Sequence, residues 1–233
     1  MSVCVINQPS YIPWRGYFHQ IHLADTFVFY DDVQYDKHGW RNRNIIKGPN
    51  SSQRLTIPVL SKGCLTDQIA INQIQINPDS NWAAKHWKTL VQTYSKTPYF
   101  HDYAPLLQSC FESPPSLLCE FTINLTMVIA RALGLEDINF VRSSELNITG
   151  DRSLRLVKIV KQFGADTYVS GPSARNYLDE KLFLEAGIRI QYMEYEYEEY
   201  EQRFPPFDPF VSVLDLMFMT GPNAPKYIWE SDE

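Results

Sequence analysis

Five short runs of β-branched and aromatic residues constrain the fold of this chain most: residues 3–6 (VCVI), 26–30 (TFVFY), 138–141 (INFV), 167–169 (TYV) and 188–193 (IRIQYM). Most are apolar along their whole length, the pattern of strands buried on both faces. Helical segments separate them. Residues 15–24 place Tyr17, Phe18, Ile21 and Leu23 on one stripe, and residues 153–163 and 181–186 are expected helices. Strands that alternate with helices build a parallel sheet covered on both sides. The expected architecture is an α/β, Rossmann-like three-layer sandwich with a mainly parallel sheet. Three consecutive helical stretches, 82–94, 98–111 and 116–133, form a helical elaboration over about 80–135. Two further runs, 54–60 and 69–76, predict a hairpin; IAINQIQI in the second reads as the alternation of a half-exposed strand. No internal repeat or long linker divides the chain, so a single domain over residues 1–233 is expected.

The 27 acidic residues outnumber the 21 basic ones, for a formal net charge of −6. A general nucleic-acid binder is usually basic, so no nucleic-acid partner is expected. The first twelve residues lack the basic start and cleavage site of an export signal, and no apolar run approaches the ~18 residues of a spanning helix. Cys4, Cys64, Cys110 and Cys119 are scattered and never spaced as C-x-x-C. They read as reduced thiols, which argues against structural zinc and for a cytoplasmic location.

The densest chemistry lies between residues 7 and 47. In open α/β sheets the loops beyond the carboxyl ends of the strands hold ligands. The loop after the first run, NQPSYIPWRGYF, offers the amides of Asn7 and Gln8 and the indole of Trp14, with prolines 9 and 13 stiffening it. The second run ends at Asp31 and Asp32. Adjacent strand residues point to opposite faces, so only one of the two enters a given pocket. Then comes HGWRNRNIIK, a local basic cluster in an acidic protein. If extended, Arg41 and Arg43 share a face, and with Lys47 they suit a phosphate or carboxylate; Asn42 and Asn44 fall on the other face. His38 is the one histidine inside this stretch and is a candidate general base.

Two later loops also follow expected strands. Ser144 lies in RSSEL, and Ser170, Ser173 and Arg175 lie in SGPSARNYL, where Ser173 reads first as a helix N-cap. His19 and His22 are three apart on a helix but lack a third metal ligand, so no metal site is assigned. EYEYEEYEQ, residues 194–202, reads as a solvated edge strand or loop. No P-loop, G-x-G-x-x-G or G-x-S-x-G occurs. The residues name no cofactor.

NQPSYIPWRGYF, ADTFVFYDDVQYDKHGWRNRNIIK, LTIPV, RSSEL, ADTYVSGPSARNYLD and FVSVLDLMFMTGP together resemble the WbqC-like family across essentially the whole chain. That resemblance implies a part in sugar or amino-sugar modification alongside genes for O-antigen and other surface polysaccharides. It also implies a His where this chain has Asn7, so Asn7 is given no proton-transfer role. With the polar loops it leads to an expected enzyme that transfers an acyl or aminoacyl group to an amino sugar. Its partner would be a small phosphate-bearing molecule: a nucleotide sugar, a thioester or a carrier-bound acyl group. Arg41, Arg43 and Lys47 would hold phosphate, Asn7 and Gln8 would orient the acceptor or an oxyanion, and Asp31, Asp32 or His38 would move the proton. A remoter similarity joins the chain to nucleotidylyltransferases and pantothenate synthetases. Residues 14–17 (WRGY) stand where those proteins have H-x-G-H, and both histidines of that pattern are missing. It implies an ATP-dependent ligase or nucleotidyl transferase as one alternative. A non-catalytic sugar-nucleotide or partner-binding protein is the other.

Overall fold

The computed structural model describes residues 2–60, 62 and 67–229; Cys64 lies outside the described residues. The five apolar runs form the strands β1 (Val3–Asn7), β2 (Thr26–Phe29), β5 (Asn139–Arg142), β6 (Thr167–Ser170) and β7 (Arg189–Tyr192) of one sheet in the order β5-β2-β1-β6-β7. All four neighbouring pairs are parallel. The chain therefore builds outward from β1 through β2 to β5, then crosses back to add β6 and β7 on the other side. The direction reverses between β1 and β6, the topological switch point of this architecture.

Alternate residues of β1 feed two cores. Cys4 and Ile6 face a layer containing Val28, Tyr168, Leu156, Ile159, Val160 and Phe183. The last four of these belong to α5 (Arg152–Gln162) and α6 (Glu180–Glu185), and Tyr168 lies on β6. Val5, with Phe27, Phe29 and Val169, faces the opposite layer. That side holds α1 (Arg15–His22), the expected helical elaboration as α2 (Trp82–Tyr94), α3 (Phe100–Glu112) and α4 (Leu118–Ala132), and α7 (Val213–Thr220). Phe29 stacks on Phe140 at 5.7 Å and meets Phe27 edge-on at 5.1 Å. Each fully buried ring of this kind stabilises the fold by about 1.5–3 kcal/mol relative to exposure. No helix among the described residues is long and apolar enough to cross a membrane.

Three local expectations change. The hairpin forms earlier than the alternation predicts: β3 (Arg43–Lys47) pairs antiparallel with β4 (Ser52–Thr56), with Asn44 opposite Leu55. Residues 69–76 instead make isolated bridges around a short 3₁₀ turn, Ile71–Gln73. Ile71, Ile74 and Ile76 are all buried. A flat strand would turn Ile71 and Ile74 to opposite faces, so the backbone coils to bring them to one core. Ser173 is not a cap: Gly171 precedes the 3₁₀ turn Pro172–Asn176, and Ser173 is exposed within it. Residues 194–202 are not a solvated edge. Tyr195 and Tyr197 pack on Trp14 at 4.8 and 5.9 Å, while Glu194, Glu196 and Glu198 point outward.

Candidate functional site

β1 delivers Asn7 to the switch point. Its Nδ2 donates to Gln20 Oε1 at 2.7 Å, and its Oδ1 accepts from the Gln8 backbone N–H at 2.8 Å. Gln20 Nε2 donates onward to the Tyr195 hydroxyl at 3.1 Å. Gly171, just beyond β6, approaches the same hydroxyl: a Cβ there would lie 2.8 Å from it. Gln20 and the Tyr195 hydroxyl thus link Asn7, at the end of β1, to Gly171, beyond β6. The junction itself is filled by a hydrogen-bonded relay.

Open space lies beside it, as a cavity of about 280 Å³. Its polar lining is Asn7, Ser10, Asn44 and Arg41; Trp14, Tyr17, Trp40, Phe210 and Pro13 supply the rest. Trp14 precedes α1 and folds its indole back over the helix start, where a Cβ on Gly16 would be 2.4 Å from the ring. Only glycine permits that approach. Trp40 is 47% exposed and Phe210 is 73% exposed, so the mouth is aromatic.

Arg41 gives the cavity its charge. Its Nη1 donates to Gln8 Oε1 at 2.9 Å, whereas its Nε is buried without a hydrogen-bond partner. Among the described residues Arg41 makes no ion pair. Burial pushes its pKa down from the ordinary guanidinium value, against the attraction of the Tyr17 phenol and the Asp36 carboxylate. A guanidinium stays charged at any ordinary pH. The cavity therefore carries a half-buried cation with donor capacity to spare, which suits a carboxylate or phosphate. Asn7 and Asn44 have committed donors; Asn44 Nδ2 holds the carbonyls of Tyr11 and Ile12. Each of their Oδ1 atoms accepts one backbone N–H and keeps a second lone pair. Among the described residues no carboxylate, histidine or cysteine lines the cavity.

The other expected cations do not converge with Arg41. Arg43 Nη2 donates to the Lys37 carbonyl at 2.7 Å, and its Nε to Asn42 Oδ1. Asn42 is buried and pegs the Ile57 carbonyl at 2.8 Å. Lys47 is buried and donates through Nζ to the Pro206 carbonyl. Near it, Asp215 accepts from the hydroxyls of Tyr94 and Tyr200, both at 2.9 Å, and burial pushes its pKa up. His38 is exposed, and its backbone N–H is tied to Asp36.

Asp31 and Asp32 form a separate cluster. Asp31 is fully buried and accepts from the Ser144 backbone N–H at 3.0 Å, Ser144 Oγ at 2.8 Å and Ser143 Oγ at 3.1 Å. Asp32 pairs with Arg155 and also contacts the Ser143 hydroxyl. β2 ends at Phe29, so the opposite-faces expectation for a strand does not apply: both carboxylates meet the one Ser143 hydroxyl, and neither lines the Arg41 cavity. Ser170 is buried and 3.4 Å from the Tyr168 hydroxyl. Arg175 is exposed over the ring of Tyr192 at 4.6 Å. A larger groove of about 720 Å³ runs past Lys96, Tyr99, Arg203 and Lys226. Lys96 and Lys226 are exposed, and Arg203 holds the Thr93 carbonyl. None of its lining atoms is buried and unpartnered, so the smaller cavity is the candidate site.

The model of the WbqC-like protein family matches residues 8–227. The chain belongs to that family. It is also 38% identical over 230 residues to the Mycobacterium tuberculosis (strain ATCC 25618 / H37Rv) protein named Uncharacterized protein Rv1507c, covering 98% of each chain. No solved structure matches. The family match includes Arg41 and every other cavity residue except Asn7. Sequence reasoning picked out Asn7, Trp14 and Arg41, and noted Trp40 beside the arginines. It missed Ser10, Tyr17 and Asn44 as lining, and Phe210, whose proline-rich surroundings carry no local signal for a site.

Proposed function

We propose that this protein binds an oxyanion-bearing small molecule at Arg41 and works in surface-polysaccharide biosynthesis, transferring an acyl or aminoacyl group to an amino sugar. The single observation that carries the binding is the Arg41 guanidinium in the lining of a cavity that has no acid among the described residues, held by one hydrogen bond to Gln8 and by no ion pair among them. Membership of the WbqC-like family supports the polysaccharide setting. The lining also suits the chemistry. An amine supplies its own lone pair and a thioester its own leaving group, so the protein has to contribute position and an oxyanion donor. Asp31, with its carboxylate bonds taken, acts here as a scaffold for the 143–144 turn. Asp32 and His38 remain the proton acceptors of this proposal only if a substrate extends to them.

One observation favours a second reading, binding without turnover: the lining has no histidine, carboxylate or cysteine. The ATP-dependent alternative has less support, because the Trp14 indole covers the start of α1. Calorimetric titration of the wild type and Arg41→Met with sugar phosphates and with coenzyme A thioesters tests the proposal. A charged hydrogen bond contributes about 1.5–3 kcal/mol, so Arg41→Met is expected to weaken the anion about 10- to 100-fold. Equal affinity for the two proteins would remove Arg41 from the site. Product formation from thioester and amino sugar separates transfer from binding alone.

A further inference from the structure

We infer that the ligand of the Arg41 cavity is a single hydroxylated ring bearing one oxyanion and no ammonium group. The inference rests on the anion-binding reading above and adds the shape and the charge of the rest of the molecule.

Three observations point to it. Size is the first. The cavity holds about 280 Å³, at the lower edge of the roughly 300–1,000 Å³ typical for small-molecule sites. One substituted pyranose suits that space and a whole nucleotide sugar does not, so the remainder of a longer molecule would pass out between Trp40 and Phe210. Wall chemistry is the second. The lining combines the aromatic side chains of Trp14, Tyr17 and Trp40 with Asn7, Asn44 and Ser10, and each asparagine Oδ1 accepts one backbone N–H and keeps a second lone pair. A sugar ring is matched to this combination, with C–H faces for the indoles and hydroxyl donors for the amide oxygens. Charge is the third. Arg41 repels an ammonium group, and no carboxylate in the lining offsets it. The ring inside is therefore neutral or N-acylated apart from its oxyanion, and an amine acceptor stays at the mouth.

A uronate carboxylate and a sugar phosphate share this chemistry, and the test separates them. Glucuronate, N-acetylglucosamine 1-phosphate, glucosamine 1-phosphate and inorganic phosphate are each titrated into the wild type, Arg41→Met and Trp40→Ala. At least one of the first two is expected to bind about tenfold more tightly than inorganic phosphate, and whichever does names the source of the oxyanion. Glucosamine 1-phosphate is expected to bind more weakly than its N-acetyl form. Trp40→Ala should cost the sugar anion about fivefold and leave inorganic phosphate unchanged. Inorganic phosphate binding as well as the sugars, with Trp40→Ala neutral, would overturn the ring while leaving the anion site standing. Glucosamine 1-phosphate binding best would overturn the exclusion of ammonium. If no anion binds, or Arg41→Met binds them all as the wild type does, the underlying anion site fails as well.

Discussion

Two charged groups sit near the carboxyl ends of the sheet, and the fold treats them in opposite ways. Asp31 is fully buried and surrounded: three donors from Ser143 and Ser144 converge on its carboxylate. Arg41 is half-buried and left short among the described residues, with one bond to Gln8 and a bare Nε. A buried charge without enough partners costs stability. On the proposed function the fold satisfies the first charge and keeps the second for a ligand. In that reading the hydrogen-bond inventory separates scaffold from site.

The largest expected effect breaks the scaffold half of that contrast. Asp31→Ala strands the Ser144 N–H and the Ser144 hydroxyl, at about 1–3 kcal/mol for each unsatisfied group, while the Ser143 hydroxyl keeps Asp32. A loss of at least ~3 kcal/mol in chemical denaturation is expected. Arg41→Met, by contrast, should leave stability within about 0.5 kcal/mol or raise it, because it removes an underpaired, half-buried charge. Were Arg41→Met as damaging as Asp31→Ala, the guanidinium would be structural and the contrast would be lost.

A somewhat smaller effect comes from His86, beneath the same loop. Its Nδ1 lies 2.9 Å from the Tyr11 hydroxyl, and burial lowers its pKa to about 4. The unfolded chain takes up the proton near pH 6.5, while the folded one resists until about pH 4. A depressed pKa in a base means stability that is present at neutral pH and lost on acidification. Unfolding free energy should fall by up to ~3 kcal/mol between those two values. Asp215 works the other way, since its raised pKa makes protonation favourable to the fold. Comparison with His86→Gln isolates the histidine: the variant should lose that part of the acid slope. An unchanged slope would show that His86 is already charged in the folded state.

The central strands were legible because β1, β2 and β6 are buried on both faces, and that signal is local. The start of α5 was less so: Asp151 caps it by accepting from the Leu154 N–H, outside the expected span of 153–163. The early hairpin was not, because Arg43–Lys47 carries charges that read as a ligand clamp and Lys47 turns out buried against Pro206. The tyrosines of residues 194–202 were misjudged because their partners, Trp14 and Gln20, are about 180 positions away. At the candidate site, residue type marked Arg41 as suited to an anion, but Arg43 and Lys47 looked equally suitable. What distinguishes Arg41 is that no carbonyl completes its shell, and no local pattern encodes that.

The smallest effect sharpens the contrast between adjacent residues. Asp32 follows Asp31 in the chain, yet its ion pair with Arg155 is partly open to water, with side-chain exposures of 25% and 13%. Solvent-exposed pairs contribute about 0–1 kcal/mol, because water competes for both charges. Arg155 also keeps its Nε bond to the Ile148 carbonyl and its place over the Tyr30 ring at 5.0 Å. Asp32→Ala should therefore cost about 1 kcal/mol or less in denaturation. Because Asp32 lies outside the Arg41 cavity, anion affinity should be unchanged in the same variant. A fall in affinity with stability intact would extend the site to the Asp32 side of the sheet and restore that carboxylate as a proton acceptor. Unchanged affinity leaves Arg41 and its aromatic walls as the whole of the binding surface.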